Sequence, residues 1–347
     1  MHKEVQYMAT LRDVAREAGV SSATASRALT HSGPVSTDTR ERVVEAARKL
    51  DYQVNNLARG LRTQRTRTLG LLVPDVRNPF FTDLAYHVDK AAAQRGLAVM
   101  MGSADEQAGQ QDRYLNVLTG HHVDGIIAVP QGAASETLVR TAASVPTVLV
   151  DRDPGIPGVP TVTSDNHGGM TALVDHVVSL GRRRIGVVAG PQTTSTGRER
   201  LDALRGRLAE HGIELPTNRI AEGDFQLESG LTATAQLLAG GDLDAIVAAD
   251  NLMGLGAIMV LRQEGIGIGD DMALACVDDI PWFSLVDPAI TVIAQDVSRL
   301  GEVAVELLQA QADGHTVESV VVPMHLIPRT SCGEKNTTHP APTGEIR

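Results

Sequence analysis

One stretch, Thr10 to Arg62, limits what this chain can be more than any other. It reads TLRDVAREAGVSSATASRAL, then VSTDTRERVVEAARKLDY, then NNLARGLRT. Leu11, Val14, Ala15 and Ala18 recur at helical spacing. Gly19 permits a positive-φ turn. Ser21 stands where an N-cap is wanted, so a second helix is expected to run to about Leu29. Ala25 and Leu29, four residues apart, should pack on the first helix, which turns Ser22, Ala23, Ser26 and Arg27 outward. Two short helices joined by a tight turn make a helix-turn-helix, with the second helix as reader. Ser36 can cap a third helix whose Val43, Ala47 and Leu50 close a small core. By pattern alone, this could be any three-helix module.

The wording is more specific than the pattern. TLRDVAREAGVSSATASRAL, VSTDTRERV, Asp51-Tyr52 and NNLARGLRT together resemble the LacI/GalR family of bacterial transcription regulators. The resemblance extends over nearly the whole chain. It implies that the fourth piece is a hinge helix that orders on operator DNA and puts a leucine into the minor groove. Leu61 occupies that position, and an apolar wedge there kinks DNA by unstacking a base step. Two departures stand out: Val54 replaces the usual proline, and Gly60 lies inside the hinge helix. Both should loosen the free hinge. The candidate DNA contacts are Thr10, Ser21, Ser22, Ala23, Thr24, Ser26 and Arg27 in the head, and Asn55, Ala58 and Leu61 in the hinge.

Composition first argues against nucleic acid, because the formal net charge is −11. Its distribution reverses that impression. Residues 1–67 carry 12 Lys and Arg against 7 Asp and Glu, a net of +5, and the remaining 280 carry 19 against 35, a net of −16. A basic head on an acidic body is the footprint of a tethered DNA-binding module. With 42% hydrophobic and only 3% aromatic residues, the core must be built from Val, Leu, Ile and Ala. Two cysteines, Cys276 and Cys332, are too few for a disulfide framework and read as reduced thiols. MHKEVQYMAT has no apolar h-region and no run approaches membrane-span length, so a cytoplasmic location without membrane contact is expected.

From Leu69 the character changes. LGLLVP, LAVMMG, DGIIAVP and TVLVDR are short continuous apolar runs separated by helical stretches, and RIGVVAGP, DAIVAAD and MALACVDD repeat the pattern. Continuous apolarity marks strands buried on both faces, as in a parallel sheet, and two successive sets imply two α/β lobes. The fold class is therefore α/β: an all-α head and hinge, then a two-lobed core with parallel sheets. The resemblance implies a core built like a periplasmic sugar-binding protein, its chain crossing three times between lobes, near 165–166, 294–296 and 320–323. VRNPFF, SDNHGGMTALVDHVVSLGRRRIGVVAGP and DDIPWFSLVDPAITVIAQDVSRLGEVAVELL carry that likeness. The expected divisions are a head at 8–54, a hinge and linker at 55–67, and a core at 68–332. Lobe 1 would take 68–165 and 295–320, and lobe 2 would take 166–294 and 321–332. The tail 333–347 lacks apolar periodicity and should be disordered.

Catalytic motifs are missing: no HExxH, Walker A, GxSxG or paired CxxC occurs. GLGAI lies in a helical pattern, and His121-His122 point about 100° apart if helical, so both should face solvent. No enzyme activity, metal or cofactor is expected. The polar residues at strand ends point to ligand binding, because open α/β sheets take ligands outside the carboxyl ends of their strands. These are Asp75, Asn78, Asp151, Arg152, Asp250, Asn251 and Asp278, with Arg198 on the helix after VVAGP and Phe225 as a flat stacking face. The resemblance makes Arg198, Phe225, Asp250 and Asp278 pocket positions and Asp151 a fifth. Asp250-Asn251 reverses the order usual in the family, which bears on which ligand hydroxyls are read.

Together these imply a homodimeric regulator, a repressor, on a near-palindromic operator, controlled by a sugar or sugar derivative that closes the lobes. A tail without heptads argues for a dimer over a tetramer. The alternatives are a sugar-binding protein without a DNA role and a sugar-processing enzyme.

Overall fold

The computed structural model describes residues 9–30, 33–52 and 66–333. The hinge and its Asn55, Ala58 and Leu61 lie outside the described residues, as does the tail from 334. Two compact units meet between Thr66 and Arg67.

The head is three helices: α1 (Leu11–Glu17), α2 (Ser22–Thr30) and α3 (Thr37–Lys49). Thr10 and Asp13 form a reciprocal capping box at the start of α1. Ser21 Oγ accepts from Thr24 N at 3.1 Å, and Ser36 Oγ from Thr39 N at 3.3 Å. Gly19 takes φ +66° between α1 and α2, the conformation its missing Cβ allows. The small core consists of Val14, Ala15, Ala18, Ala25, Ala28, Val43, Ala46 and Ala47. In α2 the buried partner of Ala25 is Ala28, while the expected Leu29 is only partly buried. Such alanines let the helices approach closely, and Lys49 Nζ on Glu17 Oε1 at 2.5 Å ties α3 to α1.

The second unit has two layers of the same design. The first sheet takes β1 (Thr68–Val73), β2 (Ala98–Ser103), β3 (Gly125–Ala128), β4 (Thr147–Val150), β5 (Thr161–Ser164) and β11 (Val320–Val322), in the order β2-β1-β3-β4-β5-β11, all parallel. The second takes β6 (Ile185–Ala189), β7 (Ile220–Glu222), β8 (Ala245–Ala248), β9 (Ala273–Val277), β10 (Thr291–Gln295) and β12 (Met324–Ile327), in the order β7-β6-β8-β9-β10-β12. Only β12 is antiparallel. Helices cover both faces of each sheet, so β1, β3, β4, β6, β8 and β9 are buried nearly throughout and read as unbroken apolar runs.

Three segments cross between the sheets. Asp165 leaves β5 and caps α7 (Asn166–Ser179), Asp296 leaves β10 and caps α12 (Val297–Ala312), and Pro323 separates β11 from β12. The last two boundaries need correction. A division at 294/295 cuts β10, which ends at Gln295, and one at 320/321 cuts β11, which ends at Val322. In each sheet the strand order reverses beside the first strand, between β1 and β3 and between β6 and β8. Loops diverge at such switch points and leave a crevice. Both crevices open on the cleft between the lobes.

Candidate functional site

Two sets of side chains are candidates, and they are built in opposite ways. On α2 of the head, Ser22, Ala23 and Arg27 are exposed, and Thr24 and Ser26 half-buried. Among the described residues Arg27 donates to Ala23 O at 3.3 Å and Thr24 Oγ1 at 3.5 Å. Ser21 and Thr10 already serve as caps, so part of their hydrogen-bonding capacity is used inside the head.

The cleft of the core is the reverse: buried and cross-linked. Asn78 caps α4 (Pro79–Gln94), accepts from Asn251 Nδ2 at 2.9 Å and donates to Asp250 Oδ2 at 3.4 Å. Asp250 caps α10 (Asn251–Gln263) through Met253 N at 2.9 Å. Asp278 follows β9 and accepts from Gln295 Nε2 at 2.7 Å, while Gln295 Oε1 accepts from Ser164 Oγ at 2.5 Å. This chain joins the cleft to two of the crossing segments. Arg152 is clamped by both oxygens of Glu106 at 2.7 and 2.8 Å, and its guanidinium lies 5.0 Å from the ring centre of Phe225 and 5.9 Å from that of Phe81. Arg200, on α8 (Ser195–Glu210), donates to Asn166 Oδ1 and to Ala249 O, each at 2.8 Å, and points Nη2 at Asp151 Oδ1 4.0 Å away.

Backbone conformation marks the same places. Asp151, Phe225 and Asp278 have φ of 65°, 65° and 68°, in the left-handed region that side chains rarely enter. For Phe225 this is an outlier, and strain of this kind concentrates at ligand sites. Gly190 makes room for the ring: a Cβ there would lie 2.4 Å from Phe225 Cε1. Burial pushes the Asp250 carboxyl up to about 7, against the pull of the Met253 N–H and with the charge of Asp278 adding to it. Burial likewise pushes Asp278 up to about 6, opposed by Arg200 and Gln295. For Arg152 burial works against the charge, but Glu106 outweighs it and raises the guanidinium.

Of the residues expected here, Asn78, Asp151, Arg152, Phe225, Asp250 and Asp278 line one cavity. Asn251 lies behind it, donating to Asn78 Oδ1. Two others do not line it. Asp75 is buried but spent on Arg77, whose Nε and Nη2 it accepts at 3.0 and 2.9 Å. Burial opposes its charge, yet the bonds and charge of Arg77 prevail and hold the carboxyl below its ordinary value. Arg198 is exposed and donates to Gln192 O at 3.2 Å. Two residues along a helix turn about 200°, so Arg200 faces the cleft where Arg198 cannot. Phe80, Phe81 and Thr196 also line the cavity without having been expected there. The second acid of the pair, Asp279, is taken by Arg329 at 2.9 and 2.6 Å, and His121 and His122 are exposed. Among the described residues no helix is long and apolar enough to cross a membrane.

A helix-turn-helix unit joined in sequence to a two-lobed core with a polar cleft defines the class of ligand-responsive bacterial transcription regulators. The model of the bacterial regulatory proteins of the lacI family matches residues 10–55, and that of the periplasmic binding protein-like domain matches 174–332. The HTH-type transcriptional repressor CytR of Escherichia coli (strain K12) is 31% identical over 323 residues, covering 91% of this chain and 94% of its own length. The HTH-type transcriptional regulator CelR of Thermobifida fusca is 34% identical over 333 residues, covering 93% and 98%. The lac repressor dimer bound to operator and the anti-inducer ONPF superposes with a TM-score of 0.84 at 27% identity, covering 94% and 99%. A CelR–cellobiose complex does so with 0.71 at 32% identity, covering 93% and 99%. The chain belongs to the LacI family of transcriptional regulators.

Proposed function

We propose that the protein is a cytoplasmic, homodimeric repressor, without enzymatic activity, whose hold on a near-palindromic operator is set by one small polyol bound between the core lobes. The observation that carries this reading is the cleft. Carboxylates Asp151, Asp250 and Asp278, guanidinium groups Arg152 and Arg200, and the rings of Phe81 and Phe225 meet there from both lobes. Fixed acceptors and donors around flat apolar faces suit a ring that carries hydroxyls along its edge and C–H groups on its faces. Relatives point the same way: one solved neighbour holds cellobiose, and another relative is named a ribose operon repressor.

The two ends of the function would be linked through the crossings. Asp278, Gln295 and Ser164 form a hydrogen-bonded path from cleft to crossing strands, so a ligand that engages Asp278 biases how the lobes close. On the DNA side, Ser22, Ala23, Ser26 and Arg27 would read or flank base edges, and Thr10, Ser21 and Thr24 would sit close to phosphates. The exposed Tyr86 on α4 and Met101 on edge strand β2 supply apolar surface for a dimer.

The test starts by selecting duplexes from a random library, then measures fluorescence anisotropy of the selected operator with and without sugars and purines. A polyol that binds the core should change operator affinity at least tenfold. No enriched duplex would end the regulator reading. A purine that binds while every sugar stays silent would replace the polyol with a base stacked on Phe225.

A further inference from the structure

The cleft holds an excess of acceptors over donors. Glu106 and Arg152 satisfy each other in a bidentate pair. The remaining carboxylates are Asp151, Asp250 and Asp278. Asp151 stands between Arg152 Nε at 3.6 Å and Arg200 Nη2 at 4.0 Å, so the site holds four carboxylates against two guanidinium groups, and the three aspartates and Arg200 are more than nine-tenths buried. Of Asp250, one oxygen caps α10, and the other has only the 3.4 Å contact from Asn78 across the cleft. Of Asp278, one oxygen is held by Gln295. Arg152 Nε and Thr196 Oγ1 are buried and make no hydrogen bond. The residues that Asp250 faces are thus Asn78 from the first lobe, Arg200 on α8, Asp278 after β9, and the Glu106–Arg152 pair.

We propose that Asp250 sets the charge of the effector, so that the cleft takes a neutral or cationic polyol rich in donors and rejects the phosphorylated or carboxylated form of the same molecule. The inference rests on the reading of the cleft as a polyol site. An asparagine at 250 would cap α10 equally well and donate toward Asn78 Oδ1 or the ligand. The aspartate instead adds a further carboxylate to a site that already holds more carboxylates than guanidinium groups. An anionic group brought into this space would meet like charges in a medium that screens them poorly. A ligand hydroxyl or ammonium gives these oxygens the donors they lack. Burial, with the charges of Asp278 and Glu106 adding to it, makes Asp250 hold a proton where an ordinary carboxylate would not. Ligand donors and that proton compete for one oxygen, so capture of a neutral polyol should release a proton near neutral pH, and capture is weaker in acid.

Two measurements on the full chain separate this inference from the reading beneath it. The first needs no effector. Thermal melting is followed between pH 5 and pH 8 for the natural protein and for Asp250→Asn. A carboxyl that binds its proton more tightly folded than unfolded contributes stability at low pH and loses it as pH rises through its folded value. The natural protein should therefore lose several degrees relative to Asp250→Asn between pH 5 and pH 8, and parallel profiles would overturn the proposal. The second is calorimetry with two matched pairs, ribose and ribose 5-phosphate, and glucose and glucose 6-phosphate. For any parent that binds the natural protein, its phosphate ester should bind at least tenfold more weakly, and Asp250→Asn should narrow the gap. A phosphate ester that binds more tightly than its parent overturns the charge rule while leaving a ligand cleft standing. If both parents and both esters are silent, the polyol reading loses support, and the melting profiles decide the charge rule alone.

Discussion

The head and the cleft do different work with opposite architectures. In the head, the outward side chains of α2 have few internal partners, while the core beneath them is a set of small alanines and valines. In the cleft, Arg200, Asp250 and Asp278 face the ligand space and are each also tied to a helix start or a neighbouring side chain. A surface that must fit a foreign duplex can leave its side chains free until DNA orders them. A site that must hold a small ligand in a set orientation fixes its groups beforehand, because each group ordered on binding costs entropy. The two regions should therefore respond differently to truncation: the cleft loses fold and ligand together, and the head loses DNA affinity alone.

The largest contrast is between two arginines. Arg200→Ala removes one of the two cations beside the buried Asp151, leaving Arg152 at 3.6 Å, and strands Asn166 Oδ1 and the Ala249 carbonyl, which should cost about 3–5 kcal/mol of stability. Effector binding should vanish. Arg198→Ala, two residues away on the exposed face, should change neither. Denaturant melts and calorimetry on both variants decide the matter, and equal effects would return Arg198 to the site.

Asp278→Ala comes next. It removes the partner of Gln295 and one inward carboxylate, and should cost about 2–5 kcal/mol of effector affinity. Operator binding should persist, because the head caps and packs its helices with its own residues. The result is a repressor that holds DNA and no longer responds. Loss of operator binding in Asp278→Ala would mean that the two units depend on each other for folding.

These two sites also differ in how far the sequence disclosed them. The head was legible because its determinants are local: a cap at Ser21, a cap at Ser36, a turn at Gly19, and helices short enough to count. On α2 the pattern pointed to Leu29, which does pack on the core, and passed over the more deeply buried Ala28, because residues three and four apart both lie near the same face. In the core, the apolar runs revealed β1, β3, β4, β6, β8 and β9. β5, β11 and β12 went unread because TVTS, VVV and MHLI are too short or too mixed to stand out. Arg200 was recoverable in principle. Leu204 and Leu208 follow it at four and eight residues, whereas Arg198 is followed by Asp202 and Arg205 at four and seven, so helix phase puts Arg200 inside. Phe81 and Gln295 could not be reached that way, because their place depends on how two lobes meet. Nor could the left-handed backbone of Asp151 and Phe225, which no local pattern announces.

Arg27→Ala sharpens the comparison from the other side. Arg27 is exposed, and among the described residues its bonds stay within its own helix, so its loss should leave the melting temperature within about a degree, since surface substitutions of this kind stay within ±0.5 kcal/mol. Specific operator affinity should fall by about 1–3 kcal/mol. An unchanged operator affinity would remove Arg27 from the reading face.

The smallest expected effect tests where the head stops being like the cleft. Thr10 is a candidate DNA contact, yet its hydroxyl lies 2.6 Å from Asp13 Oδ2, and Asp13 N donates back to it at 3.4 Å. It is thus a group already engaged before DNA arrives. Thr10→Ala should destabilise the head by about 1 kcal/mol through the lost cap. Thr10→Ser keeps the oxygen and should restore that stability. If the hydroxyl serves only as a cap, both variants bind operator in proportion to how much head is folded, and Thr10→Ala regains full affinity at low temperature. If it also donates to a phosphate, the affinity deficit of Thr10→Ala persists at low temperature and the salt dependence stays unchanged, because no charge is lost. Anisotropy at two temperatures separates these cases. A persistent deficit would make Thr10 a DNA contact that is fixed in advance, as the side chains of the cleft are.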